Sequence, residues 1–68
     1  MAQEYLEELR AKQSREAAVV KQLQGRLSHE AYVNNAPPEV VEQTRQQLAA
    51  AEELVAALDK EIEQFSAA

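Results

Sequence analysis

A proline pair near the middle of the chain, Pro37-Pro38, limits the fold more than any other feature of the sequence. A proline disfavours the helical conformation of the residue before it, so Ala36 and Pro37 are expected to lie outside a helix. Pro38 suits the first turn of a new helix, where its missing N–H group costs nothing. Glu39 adds negative charge to that turn, which the helix dipole favours. The sequence therefore predicts a corner over about residues 28–37.

Apolar residues on both sides of this corner follow the spacing of a coiled-coil seam, in alternating steps of three and four. In the first predicted helix, over about residues 3–27, the seam positions are Leu6, Leu9, Gln13, Glu16, Val20, Leu23 and Leu27. In the second, over about residues 38–65, they are Val41, Thr44, Leu48, Ala51, Val55, Leu58, Ile62 and Phe65, and Leu54 widens the stripe. The two stripes match in length, so each helix can cover the other.

The predicted fold class is therefore all-α, a two-helix antiparallel coiled-coil hairpin with a short Pro-containing corner. It forms one domain over residues 1–68. Folding at the corner would set Leu27 near Val41, and Leu6 near Ile62 and Phe65. Two such helices bury little apolar surface, so we expect the isolated hairpin to be marginally stable.

Two features of the first helix leave alternatives open. Gln13 and Glu16 interrupt its apolar seam, so either the seam is weak there or Ala17 rotates in to take part. Gly25 lies near the helix end and costs roughly 1 kcal/mol relative to Ala. It either allows the returning chain to approach closely or is a tolerated surface glycine.

The corner contains its own apolar residues, Tyr32 and Val33. Ser28 either stops the first helix or caps a short new turn through these two residues, with its hydroxyl accepting a free backbone N–H. We expect Tyr32 and Val33 to fold over the helix ends as a structural plug rather than to contact a ligand. Tyr32 could then keep its hydroxyl in water while burying its ring.

Composition excludes several classes of function. The chain has no cysteine, which fits a reducing compartment, and no apolar run near the roughly 18 residues of a membrane span. It lacks a signal-peptide pattern, so we expect a cytoplasmic chain without a membrane partner. There is no Gly-rich phosphate loop and no metal-ligand cluster, and the adjacent Ser28, His29 and Glu30 diverge too much for a triad. We therefore expect no catalytic residue, metal or cofactor, and no enzyme activity in this chain alone.

Charge is unevenly distributed along the chain. The net charge is −5, yet between Arg10 and Ser28 the sole acidic residue is Glu16. The acidic total therefore conceals a locally basic first helix, and a partner responds to the local field more than to the total.

The basic residues of the first helix fall into two rows. Arg15 and Arg26 are 11 residues apart, about three helical turns, so they share one face with Lys12 nearby. Arg10 and Lys21 have the same separation and share the opposite flank of the seam. A rod with such rows suits a phosphate backbone or a folded RNA. The same pattern is also typical of ordinary solvated helix faces and of i,i+4 charge pairs.

The run RLSHEAYVNNAPPEVVEQTR at residues 26–45 resembles the C-terminal arm of valyl-tRNA synthetases. Those arms carry a basic residue, Leu, a small polar pair, Phe-Val, a basic residue, Ala-Pro and Glu-Val-Val in this order. Tyr32 replaces the usual Phe, and Asn35 stands where the family usually has a basic residue. The resemblance covers roughly residues 9–65.

The resemblance implies a non-catalytic antiparallel coiled coil, attached after the anticodon-binding domain, that contacts the outer corner of tRNA where the D and T loops meet. The implied partner is tRNA-Val, bound through a parent enzyme that is an ATP-dependent aminoacyl-tRNA ligase. Arg26 and Arg45 match basic positions of the family. The full set of predicted tRNA-binding residues is Lys12, Arg15, Lys21, Arg26 and Arg45.

A second hypothesis is that the hairpin is a protein-interaction or oligomerisation module that does not bind RNA. The weak seam at Gln13 and Glu16 and the Ala-rich flanks of the second helix motivate it. In this case the acidic second helix or its Ala-rich flank would meet another protein or a second copy, so weak self-association is a further expectation.

Overall fold

The computed structural model describes residues 2–67, which form three helices in chain order. These are α1 (Ala2–Leu27), α2 (Glu30–Asn35) and α3 (Pro38–Ala67). No strand occurs within residues 2–67, so the all-α prediction is confirmed. Met1 and Ala68, the ends of the predicted 1–68 domain, lie outside the described residues.

The two long helices, α1 and α3, pack side by side into a rod of 48 × 14 × 13 Å. Near the start of α1, the Tyr5 ring meets the Phe65 ring edge to face, with centroids 4.9 Å apart. Further along α1, the side-chain amide of Gln13 donates a hydrogen bond of 3.0 Å to the Asp59 carboxylate. As α1 approaches the corner, its partners on α3 therefore come progressively earlier in the chain.

The seam between the long helices uses the predicted positions from Leu6 to Ile62, whereas the last predicted position, Phe65, is 43% exposed. The buried residues are Leu9, Leu23, Val41, Thr44, Ala51 and Leu58. The other seam positions from Leu6 to Ile62 are half-buried, and Ala17 is half-buried with them, so it does take part. Leu54 is 45% exposed and does not join the buried seam, contrary to the prediction that it widens the stripe. It precedes Val55 by one position, which turns its side chain about 100° from that of Val55 and places it in a groove beside the seam.

The first helix ends at Leu27, and Ser28 closes its last turn. The Ser28 N–H bonds the Gln24 carbonyl at 3.0 Å, and its hydroxyl donates to the Gly25 carbonyl at 3.0 Å. The N-cap of α2 is His29, whose side chain makes no capping hydrogen bond. Of the two roles open to Ser28, stopping the first helix is therefore confirmed and capping the next one is wrong.

The remaining corner residues clarify two further points. A Cβ atom built on Gly25 would meet no atom within 4 Å, so Gly25 is a tolerated surface glycine rather than a point of close approach. Pro38 is the first residue of α3, as its suitability for a first helical turn predicts. The Pro37 carbonyl accepts the N–H of Val41 at 3.2 Å, which closes that first turn.

Tyr32 ties the short helix α2 to the long helix α3 through a buried threonine. The Thr44 hydroxyl donates its proton to the Val40 carbonyl at 3.0 Å. Since a hydroxyl has one proton, Tyr32 must be the donor in the 2.8 Å hydrogen bond between the two side-chain oxygens. The Tyr32 hydroxyl, for which the sequence left contact with water open, is therefore bonded to Thr44, and the bond satisfies the one buried polar side chain among the described core residues.

Candidate nucleic-acid interface

The seam divides the surface of the rod into two sides. Consecutive residues of an α-helix are about 100° apart, so the residues before and after a seam position point to opposite sides. Val19, which precedes Val20, and Leu54, which precedes Val55, line the same groove. Ala56, which follows Val55, lines a different groove. We call the side of the preceding positions the front face and the side of the following positions the back face.

The predicted tRNA-binding residues are all exposed, but they do not share one face. Lys12, Arg15 and Arg26 each precede a seam position and lie on the front face. Lys21 and Arg45 each follow one and lie on the back face.

The three front residues form one row along α1. Lys12 and Arg15 line a groove with the seam residue Glu16 and with Leu54 and Leu58 of α3. Arg26 follows Arg15 by 11 residues, which places it about 16 Å further along the same face. A row of this length can meet several successive phosphates of one backbone.

Arg26 is positioned by the corner. Its guanidinium carbon lies 5.8 Å from the centroid of the Tyr32 ring, within cation–π range. Tyr32 is itself held by the hydrogen bond to Thr44. Stacking on a ring leaves the N–H donors at the guanidinium edge free, so Arg26 is oriented while it can still donate to a phosphate.

The back-face residues have acidic neighbours. Arg45 Nη1 lies 3.9 Å from the Glu42 carboxylate, with both side chains more than half exposed. The back groove is lined in part by Glu52 and Asp59, on the side to which Lys21 belongs. These carboxylates weaken the attraction of the back face for a polyanion.

The sequence interpretation missed the apolar character of the front face. The large apolar side chains that remain exposed are Tyr5, Val19, Val40, Leu54 and Phe65. The first four each precede a seam position, and Phe65 lies against Tyr5. The signal was therefore present in the sequence, in the residue type one position before each seam residue.

The described part of the chain offers little other chemistry. Residues 2–67 contain no group of three or more His or acidic side chains placed to hold a metal ion. None of the helices within that range is long and apolar enough to cross a membrane.

A family model matches residues 5–66 of the chain, from the first turns of α1 almost to the end of α3. That model describes the tRNA-binding arm of valyl-tRNA synthetase. The chain belongs to this family. The resemblance of residues 26–45 to a valyl-tRNA synthetase arm is thus confirmed and extends over both long helices. No curated protein and no solved structure matches the chain in the other two comparisons.

Membership gives the arm its general role, tRNA binding as part of an aminoacyl-tRNA synthetase. Within this arm, the front face is the side where exposed basic residues have the fewest acidic neighbours. The geometry therefore distinguishes two candidate contact surfaces that family membership alone does not distinguish.

Proposed function

We propose that this chain is a non-catalytic tRNA-binding arm, built as an antiparallel two-helix coiled-coil hairpin, that contacts the outer corner of tRNA-Val. The observation that supports this most is the family match over residues 5–66. The opposed order of the contacts along α1 and α3 supports the antiparallel hairpin. In this proposal residues 1–68 act as a single domain.

The proposed contact residues are Lys12, Arg15, Lys21, Arg26 and Arg45. Lys12, Arg15 and Arg26 contribute most because they form one exposed row on the front face. Lys21 and Arg45 contribute less, since a surface that meets the front face reaches them only at its edge.

Binding proceeds through phosphates and RNA shape rather than through base readout. Unspecific stacking on bases needs free aromatic faces. The Tyr5 and Phe65 rings are engaged with each other, and Tyr32 lies between Arg26 and Thr44. Since Tyr5 and Phe65 lie at the open end of the rod and Tyr32 is held at the corner, no ring lies along the row between Lys12 and Arg26, so affinity should come mainly from released counterions and fall steeply as salt increases.

The net charge of −5 orients the arm on its ligand. Seven of the twelve acidic residues lie on α3, and five lie on the back face against two on the front, so a tRNA that approaches from the back is repelled. The front row of α1 is then the surface that remains attractive.

The chemistry of aminoacylation belongs to the parent enzyme in this proposal. An ATP-dependent valine–tRNA ligase in the cytoplasm would activate the amino acid, while the arm adds affinity and orientation. The arm itself needs no cofactor for that role.

An NMR titration of the isotopically labelled chain with tRNA-Val, at low and at physiological salt, tests the proposal. We expect amide shifts along the front of α1 and at the corner, smaller shifts on the outer side of α3, and weaker shifts at the higher salt concentration. An absence of shifts at low salt would contradict RNA binding by this chain, and shifts centred on α3 would contradict the front-face assignment.

The alternative, a protein-interaction or oligomerisation module, is favoured by one specific observation. Among the described residues, four large apolar side chains remain exposed on the front face, and the exposed ring of Phe65 lies against one of them, Tyr5. This stripe differs from the acidic or Ala-rich flank on which the sequence-based hypothesis placed the interaction.

A further inference from the structure

The exposed apolar residues form an interrupted stripe on one side of the rod, in three groups that are separated by polar and charged residues. Tyr5 and Phe65 lie at the open end, Val19 and Leu54 lie together in a groove near the middle, and Val40 lies at the corner end. The central group is a contiguous apolar patch, because Val19 and Leu54 share their groove with Leu23, Ala50 and Ala51, and such a patch marks an interaction site more often than singly exposed residues do.

The back face provides an internal comparison. Its positions follow the seam residues and are charged, polar or alanine. They are Glu7, Arg10, Ser14, Ala17, Lys21, Gln24, Glu42, Arg45, Ala49, Glu52, Ala56, Asp59 and Glu63. No large apolar side chain occurs among them, so the asymmetry is a property of the sequence and not of helix geometry.

The hairpin also has little buried surface of its own. None of the described side chains falls below 2% exposure, and the chain has no cysteine with which to form a disulfide. Small folds without disulfides or metals commonly gain stability by burying a second face in an oligomer.

We infer that the front face is the interface of a homodimer, in which a second copy of this chain covers the apolar stripe to form a four-helix bundle. This inference goes beyond the proposed RNA contact and does not depend on it. The rod is 48 Å long and 14 Å wide, so two such faces have a combined footprint on the order of 1,300 Å² when each is covered along its whole length. That area reaches the lower end of the roughly 1,200–2,000 Å² of stable interfaces.

Charge decides which helices meet in the dimer. The front of α1 carries three basic residues, Lys12, Arg15 and Arg26, so packing α1 on α1 would bring like charges together. The front positions of α3 carry no basic residue. They are Val40, Gln43, Gln47, Ala50, Leu54, Ala57 and Glu61. Each α1 should therefore lie over α3 of the second copy.

This packing also aligns the apolar residues. A two-fold axis along the rod keeps residues at the same height opposite each other. The contact of Tyr5 with Phe65 and the bond of Gln13 to Asp59 fix which residues share a height. By their position along the rod axis, Val19 faces Leu54 of the second copy near the centre of the dimer.

Alignment extends to the charged residues and to the open end of the rod. Lys12 meets Glu61 of the second copy, and the Tyr5–Phe65 pair meets its own equivalent. The stripe is thus complementary to itself, which is the property that a two-fold interface requires. Because the dimer covers the front basic row, self-association and RNA contact through that row exclude each other.

Sedimentation equilibrium of the 68-residue chain without RNA, from about 10 µM to about 1 mM, tests the inference. We expect a reversible increase to twice the monomer mass within this range. Leu54→Gln should weaken the association at least tenfold, since each dimer loses two buried leucines. Ala56→Gln, an equally exposed change on the back face, should leave it unchanged.

Circular dichroism of both variants should be measured as a control that each one folds. A wild-type chain that stays monomeric at the highest concentration would overturn the inference. Equal weakening by Leu54→Gln and Ala56→Gln would overturn the front-face assignment. Since these measurements contain no RNA, their failure leaves the proposed tRNA contact standing, and failure of the tRNA titration leaves the dimer standing.

Cross-linking tests the packing of α1 over α3. Because the chain has no cysteine, single Val19→Cys and Leu54→Cys variants can be mixed and oxidised. We expect the mixed disulfide to form faster than either disulfide between identical variants. Dominant pairing of Val19→Cys with itself would overturn this packing.

Discussion

The front and back faces of the rod differ less in their number of basic residues than in what surrounds them. The front has Lys12, Arg15 and Arg26, and the back has Arg10, Lys21 and Arg45. The front adds Glu8 and Glu61, and the seam residue Glu16 lines its grooves, whereas the back adds Glu7, Glu42, Glu52, Asp59 and Glu63. The front also holds the exposed apolar residues, which the back lacks. Whether a basic residue of the rod can contact RNA therefore depends on which side of the seam it lies.

The largest expected effect is a loss of stability when a seam residue is truncated, compared with the same truncation on the front face. Leu58→Ala removes a buried side chain and should lower the free energy of unfolding by about 2–4 kcal/mol, enough to abolish folding of a small hairpin. Leu54→Ala, four positions away and 45% exposed, should lower it by less than about 1 kcal/mol in dilute solution. Urea unfolding followed by circular dichroism measures both, and equal losses would show that Leu54 belongs to the seam.

Replacing one basic residue on each face by Gln compares how much the two faces contribute to RNA binding. Arg15→Gln should reduce the slope of log K against log salt for tRNA-Val binding by about 1, because one phosphate contact is lost. Lys21→Gln, which removes the same charge from the back face, should reduce the slope by much less. Fluorescence anisotropy over a salt series gives both slopes, and a larger change for Lys21→Gln would reverse the assignment of faces.

The corner bond that holds Tyr32 should have a smaller effect. Tyr32→Phe removes the proton donated to Thr44 and should lower the free energy of unfolding by about 1 kcal/mol. Thr44→Val removes the acceptor, so the double variant should lose less than the two single changes together. Thermal unfolding of the four chains measures this coupling, and strict additivity would rule out a stabilising bond.

The smallest expected effect is stabilising and lies on the outer surface of α1. Gly25→Ala should raise the free energy of unfolding by about 0.5–1 kcal/mol, because the added methyl group meets no atom and the helix gains a better former. Chemical unfolding measures the gain. A loss of stability would mean that the returning chain does approach Gly25 closely.

The seam could be predicted from the sequence because burial of a helix follows its periodicity. The three-and-four spacing places Leu9, Leu23 and Leu58 in the core without knowledge of the facing helix. Periodicity also placed Leu54 in the stripe. It could not show that the rotation of α3 turns this side chain toward the front face instead.

In the corner, the sequence predicts where a helix begins but not which side chains contact each other. The prolines predict where α3 begins, since their effect is local to the backbone. The bond between Tyr32 and Thr44 joins residues on two different helices, and the stacking of Arg26 on Tyr32 depends on it. Such contacts follow from the angle at which α2 meets α3, and no local pattern in the sequence encodes that angle.

The division of the basic residues between two faces is likewise a consequence of packing. The spacing of 11 residues groups Arg15 with Arg26, and Arg10 with Lys21, within α1 alone. Which row lies beside the acidic flank of α3 depends on how the two helices face each other. For that reason Lys21 and Arg45 entered the predicted contact set with the same weight as the front row.

One pair of matched charge reversals tests the central claim, that the front face contacts tRNA, most directly. Lys12→Glu/Arg15→Glu and Lys21→Glu/Arg45→Glu change the net charge equally, one pair on each face. Measured against tRNA-Val at low salt, the front pair should lose at least about tenfold in affinity, or about 1.4 kcal/mol, and the back pair much less. Equal losses from the two pairs, or a larger loss from the back pair, would contradict it.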